Sequence, residues 1–224
     1  ASSDVRISNI EVSGNAITST IVDQKQKSWN VNLKTAGKHY MKNAAGLLAL
    51  VSSLNLDLSK AILSLQSWSP LAGRGQVLEV KLKASDYRKT IHLIDESYNA
   101  NPSSVKSSLE TLACIFTNKK GKGEHYRRIA VLGDMLELGF SEIQEHVNIS
   151  KFERLDKIDK IYCVGSRMKK LFDVLPTSKR GYWTETAEEM QNVLVNKLEN
   201  GDIIMIKGSF SMGMKTIVNK LKNI

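Results

Sequence analysis

The stretch Ile94-Asp95-Glu96-Ser97-Tyr98-Asn99-Ala100-Asn101-Pro102-Ser103-Ser104 decides how this chain is organised. The run from Thr90 to Ile94 in front of it reads as an apolar strand that stops on two carboxylates. The side-chain amides of Asn99 and Asn101 follow, and beyond Pro102 the apolar period becomes that of a helix. Strand ends of this kind are where open α/β sheets bind ligands, because loop side chains and a helix N-terminus converge there. The same residues also suit a plain βα connection, with the Asn side chains satisfying turns and Ser103 capping the helix. Asp95 and Glu96 are strand neighbours and face opposite sides, so one of them is expected to face a ligand.

Downstream the alternation repeats. Strands are expected at Val77 to Leu82, Thr90 to Ile94, Ile129 to Leu132, Lys160 to Val164 and Asp202 to Ile206. Helices are expected at Ser103 to Phe116, Ser141 to Leu155, Ser166 to Val174, Ala187 to Leu198 and Met212 to Leu221. Helices between strands predict parallel pairing and a Rossmann-like, doubly wound α/β domain. No GxGxxG follows its first strand, which argues against a dinucleotide cofactor. Upstream, Val5, Ile7 and Ile10, then Ile17 and Ile21, then Trp29, Val31 and Leu33 alternate as an antiparallel β meander with a turn at Ser13-Gly14-Asn15. A helix rich in Ala and Leu is expected from His39 to Leu54, and Asp57-Leu58-Ser59 opens a second one towards Trp68. Pro70 and Gly73-Arg74-Gly75 interrupt the pattern and place a domain boundary between residues 1–75 and 76–224.

The 224 residues carry 32 Lys and Arg against 23 Asp and Glu, a formal charge of +9. An apolar fraction of 42% with 25% charged residues is that of a soluble globular chain. No apolar run approaches the length of a membrane span. Cys114 and Cys163 lie in apolar patterns without metal-ligand spacing, which fits reduced, buried thiols in a cytoplasmic protein. The positive charge raises nucleic acid as a partner. The one local cluster, Lys119-Lys120, Lys122 and Arg127-Arg128, includes Gly121 and Gly123 and does not alternate with aromatic residues, so it reads as a solvated loop.

Other segments carry candidate chemistry. His39 and Asn43 share one face at a helix start; an Asn amide both donates and accepts, as an adenine edge requires, while His39 also suits a helix cap. Arg74 lies between two glycines, where its planar fork suits phosphate oxygens or simply projects into solvent from a hinge. Asp134, in Gly133-Asp134-Met135, follows an apolar strand, but the four His residues build no Ser/His/Asp or metal-spaced set with it, so a structural loop is expected. Lys207-Gly208-Ser209 ends the last strand, where Ser209 and nearby N–H groups suit a carboxylate.

Four ordered segments together resemble the Mur ligase family: Gly37-Lys38-His39 leading to Asn43, the Asp95 to Pro102 run, Val131 to Gly139, and Lys207-Gly208-Ser209 before Met212. The second is similar to the signature Asp-Asp-Ser-Tyr-Asn-Ala-Asn-Pro of the branch that adds D-alanyl-D-alanine to UDP-N-acetylmuramoyl-tripeptide. The resemblance implies an ATP- and Mg²⁺-dependent, amide-forming ligase of peptidoglycan synthesis, cytoplasmic and monomeric, with no membrane or nucleic-acid partner. It assigns ATP to His39, Asn43, Arg74 and Glu96, with Asp95 as the alternative carboxylate for the ribose and Arg74 on the γ-phosphate. Tyr98, Asn99 and Asn101 resemble residues at the peptide end of the precursor, and Lys207 and Ser209 residues near the incoming dipeptide. Tyr40 and Phe210 depart from the family pattern. Gly37-Lys38 runs into His39 and Gly121-Lys122 into Gly123, so neither is a P-loop. The chain is therefore expected to be the C-terminal half of such a ligase, inactive alone, with no metal ligands of its own. In this picture residues 1–75 are the end of the ATP-binding central domain and 76–224 the C-terminal domain. A noncatalytic binding module, or another Mur ligase or folylpolyglutamate synthase relative, is the alternative.

Overall fold

The computed structural model describes residues 5–23, 26–83, 88–116 and 126–223. The chain divides into two compact units, residues 1–70 with 114–121 and residues 71–113 with 122–224. Lys119, Lys120 and Lys122 of the basic cluster lie outside the described residues.

The first unit is the expected meander with two helices. Strands β1 (Val5–Ser13), β2 (Ala16–Asp23) and β3 (Ser28–Leu33) pair antiparallel in sequence order, and helices α1 (Lys38–Ser53) and α2 (Leu58–Ser67) follow. Alternate residues Ile17 and Ile21 of β2 and Val31 and Leu33 of β3 face Met41, Ala44, Ala45 and Leu48 of α1. Those four recur every three or four residues, so they form one helix stripe, and the two alanines leave it flat enough to lie on a sheet. Asp57 caps α2, accepting from the N–H groups of Ser59 (2.9 Å) and Lys60 (3.2 Å). His39 does not cap α1; Gly37 occupies that position with no side-chain bond.

The second unit holds a six-stranded sheet in the order β4-β5-β9-β6-β7-β8. Its strands are β4 (Gln76–Lys83), β5 (Arg88–Glu96), β6 (Arg128–Gly133), β7 (Lys160–Val164), β8 (Arg180–Thr184) and β9 (Ile203–Lys207). Its helices are α3 (Pro102–Cys114), α4 (Glu142–Asn148), α5 (Ser166–Val174), α6 (Ala187–Lys197) and α7 (Lys215–Lys222). All strand pairs are parallel except β4 with β5, which lie too close in sequence for the crossover that parallel pairing needs. The central strands β6 and β9 are buried along their whole length, as a parallel sheet covered on both faces requires.

Three local expectations change. Strand β8 was not foreseen, because Arg180-Gly181-Tyr182-Trp183-Thr184 is a short, half-exposed edge strand and lacks a continuous apolar run. The helix expected over Ser141 to Leu155 is α4 alone, followed by single 3₁₀ turns at Ile149–Lys151 and Leu155–Lys157, as Phe152 turns extended and buries its ring. Helix α3 begins at Pro102, and its cap is Asn101 in place of Ser103: the Asn101 Oδ1 accepts from the Ser104 N–H at 2.8 Å, and the Ser104 hydroxyl accepts from the Asn101 N–H at 3.0 Å. Pro at the first helical position gives up an N–H that would have had no helical partner.

Candidate functional site

Strands β5, β9 and β6 are neighbours, and the loops at their carboxyl ends are tied together. Ser209 joins all three. Its N–H donates to the Asp134 carbonyl (3.0 Å), and its hydroxyl accepts from the Leu136 N–H (2.9 Å) and donates to the Ala100 carbonyl (3.5 Å). The approach is close because Gly208 and Gly133 lack side chains: a Cβ on Gly208 would stand 3.0 Å from the Gly133 Cα and 2.6 Å from Met214 Cγ.

Lys207 and Glu96 end adjacent strands and pair in the sheet register. The Lys207 ammonium, 3% exposed, donates to the Asn99 carbonyl at 3.0 Å and lies 3.4 Å from the Glu96 Oε2. Burial pushes the Glu96 carboxyl up, and the Lys207 charge opposes that shift. Burial likewise pushes the Lys207 ammonium down; Glu96 opposes it, and the like charge of Arg74 adds to it. Each charge thus opposes the effect of burial on the other.

Asp95 points to the opposite face, and both its oxygens are taken up by the segments around the site. Its Oδ2 accepts from the Gly73 N–H (3.0 Å), and its Oδ1 accepts from the Ser97 hydroxyl (2.6 Å) and N–H (3.2 Å). This anchors the Gly73-Arg74-Gly75 turn against the strand end. Gly73 has a φ of +79° and its carbonyl accepts from the Tyr98 N–H at 3.0 Å. The exposed Arg74 side chain lies over the Tyr98 ring, 4.0 Å from Cζ to centroid, and Phe210 flanks the same ring at 5.9 Å.

Of the candidate residues, Arg74, Asp95, Glu96, Tyr98, Asn99, Lys207 and Ser209 therefore form one contiguous group, with Asn101 beside them as the α3 cap. His39 and Asn43 belong to the first unit, one turn apart on α1, with Asn43 exposed. There the Tyr40 ring meets His39 (4.0 Å) and Trp68 (5.0 Å) at tilted angles.

Asp134 has the structural role expected of it. Its carboxylate accepts from the N–H groups of Arg167 (3.2 Å) and Met168 (2.7 Å) at the start of α5. Asp134→Ala should leave these donors unmet at a buried helix start and cost about 2 kcal/mol, read from urea unfolding midpoints; an unchanged midpoint would remove the capping role.

The chemistry of His146 was not legible in sequence. The ring is fully buried; its Nε2 accepts from the Met135 N–H (2.9 Å) and its Nδ1 donates to the Glu142 carbonyl (2.5 Å), holding the loop after β6. Only the fold places Met135 against α4. Arg127 and Arg128 of the basic cluster are likewise committed. Arg127 forks onto Asp202 at 2.8 and 2.7 Å, and the Arg128 Nε donates to the Leu112 carbonyl. Among the described residues, no group of three or more His, Cys, Asp and Glu could hold a metal ion, and no helix is long and apolar enough to cross a membrane.

Loops converging at the carboxyl ends of parallel strands, where open α/β sheets commonly bind ligands, define a doubly wound α/β domain with a buried ion pair and an exposed Arg at the strand ends. The sequence profile described as Mur ligase, glutamate ligase domain, matches residues 79–210. The chain belongs to the Mur ligase family. It is 25% identical over 182 residues to the UDP-N-acetylmuramoyl-tripeptide--D-alanyl-D-alanine ligase of Rickettsia prowazekii, covering 81% of this chain and 37% of that protein. To the enzyme of the same name from Haemophilus influenzae it is 24% identical over 222 residues, covering 98% of this chain and 45% of that one. The fold matches a crystal structure of MurF from Acinetobacter baumannii with a TM-score of 0.78 at 23% identity, over 99% of this chain and 45% of that one. A MurF ligase structure from Thermotoga maritima in complex with ADP gives 0.74 at 18% identity, over 98% of this chain and 46% of that one. The chain thus spans about two fifths of the length of these relatives.

Proposed function

We propose that this chain is the C-terminal part of a cytoplasmic, ATP-dependent ligase that joins D-alanyl-D-alanine to UDP-N-acetylmuramoyl-tripeptide. The supporting observation is the Asp95 to Pro102 run at the end of β5, set beside Lys207-Gly208-Ser209 at the end of β9. In this reading the terminal carboxylate of the precursor attacks the γ-phosphorus of ATP, ADP leaves, and an acyl phosphate forms. The dipeptide amine then attacks the acyl carbon and expels phosphate, losing a proton as the amide forms. Catalysis is mainly positioning and charge neutralisation.

The residues divide this work by chemistry. His39 and Asn43 meet the adenine edge. Glu96 takes the ribose hydroxyls, since the oxygens of Asp95 already hold Gly73 and Ser97. Arg74 takes the γ-phosphate with its planar fork. Tyr98, Asn99 and Asn101 face the peptide end of the precursor. Lys207 and Ser209 set the dipeptide end, Ser209 by holding the loops after β5 and β6 in register. Fork and carboxylate fit a nucleotide, and the Mg²⁺ of such a reaction would be held chiefly by the nucleotide phosphates and water with one or two carboxylates.

The test is ligation by the complete polypeptide with UDP-N-acetylmuramoyl-tripeptide, ATP and either D-alanyl-D-alanine or glutamate. Product with the dipeptide alone supports the assignment. Product with glutamate would make the chain part of another ligase of this architecture, and no ATP-dependent product would make it a binding module. Within that assay Glu96→Ala should raise the KM for ATP about ten- to a hundredfold with less effect on the dipeptide, and Ser209→Ala the reverse. Equal effects of both variants on ATP would remove the dipeptide role of Ser209.

A further inference from the structure

The phosphate role proposed for Arg74 needs a defined guanidinium position, and little in the backbone supplies one. Arg74 is flanked by Gly73 at φ +79° and Gly75 at φ +93°, conformations other residues rarely adopt. The turn itself is well held: the Arg74 N–H donates to the Leu71 carbonyl (3.0 Å) and the Gly75 N–H to the Asp95 carbonyl (2.8 Å). These bonds fix the Arg74 Cα and leave its side chain to be ordered by what it touches.

We propose that Tyr98 is the positioning residue of Arg74, its ring acting as the platform that aims the guanidinium at the strand ends; this rests on the phosphate role assigned to Arg74. The guanidinium carbon lies 4.0 Å from the ring centroid, within stacking distance of the π face. The platform is itself braced. The Tyr98 N–H donates to the Gly73 carbonyl at 3.0 Å, so ring and Arg hang from one hydrogen-bonded pair of segments. A Cβ on Gly73 would stand 3.1 Å from the Tyr98 Cβ, so a side chain there would press the ring away. The ring also meets Phe210 at 5.9 Å with planes at 59°. Phe210, 74% exposed, thus has a neighbour to brace although it fills no core. The charge of Arg74 also acts on Lys207 and lowers its ammonium pKa.

Stacking on a ring constrains an Arg without neutralising its charge.

The experiment is a double-mutant cycle in the complete ligase, with ¹H–¹⁵N spectra of the 224-residue chain beside it. Tyr98→Leu should lower kcat/KM for ATP about two- to fivefold, the worth of an exposed cation–π contact, while KM for D-alanyl-D-alanine stays put. Tyr98→Phe should restore the ATP parameter, since the ring is the platform. In an Arg74→Ala background, Tyr98→Leu should have no further effect on ATP. In the spectra, the Arg74 Nε–H resonance should carry an upfield ring-current shift that Tyr98→Phe keeps and Tyr98→Leu loses. Additive effects in the cycle, or a deficit from Arg74→Ala with a silent Tyr98→Leu, would overturn this proposal alone. An Arg74→Ala variant with unchanged ATP kinetics would overturn the phosphate role and this proposal with it.

Discussion

Lys207→Met is expected to lower the unfolding free energy by about 3–5 kcal/mol, because it leaves the Glu96 carboxylate buried without its counter-charge. The two groups are 3% and 9% exposed, and the ammonium also satisfies the Asn99 carbonyl. The loss should appear as a lower urea midpoint with an unchanged denaturant slope. Burial already pushes the Glu96 carboxyl up against the opposing pull of Lys207. Removing Lys207 drives it further towards the neutral acid, so the variant should bind a proton on folding that the unfolded chain lacks. Its stability should therefore fall as pH rises from the ordinary carboxylate range through the folded pKa. Lys207→Met combined with Glu96→Leu removes both charges and should recover much of the loss. A single-variant cost below about 1 kcal/mol would mean the pair behaves as a solvated surface bridge.

The second large effect is on turnover. The 224-residue chain alone should release no phosphate above background from ATP with UDP-N-acetylmuramoyl-tripeptide and D-alanyl-D-alanine. Phosphoryl transfer is catalysed by charge placed around the moving group, and a P-loop that cradles the phosphates is absent from these residues. One Arg beside a Tyr ring cannot replace a ring of backbone donors with a Lys and a metal. Phosphate release coupled to an enzymatic readout measures this directly. Turnover that depends on both substrates and disappears in Arg74→Ala would sink the expectation.

The alternation of strand and helix after Thr90, the meander before it and the βα turn at Asp95 to Ser104 were all legible in the residue order. Each rests on local periodicity, and the sheet has the expected mostly parallel pairing. The family was legible for a similar reason, since four short motifs keep their order along the chain. Strand β8 and the short α4 were not legible: an edge strand needs only a partner on one side, and Phe152 leaves the helix to fill a space that the fold creates.

The insertion of β9 between β5 and β6 was decided only by tertiary structure, and it makes the site. It sets Lys207 beside Glu96 across 111 residues of chain and lets Ser209 join the loops of two other strands. Pleating sends Asp95 to the Gly73 turn and Glu96 to Lys207, and no one-dimensional pattern states which partner each face will meet. Residue order specified which elements form and what chemistry ends each strand. The three-dimensional packing specified which strand ends are neighbours, and so which charges are buried together and which Arg stands exposed beside them.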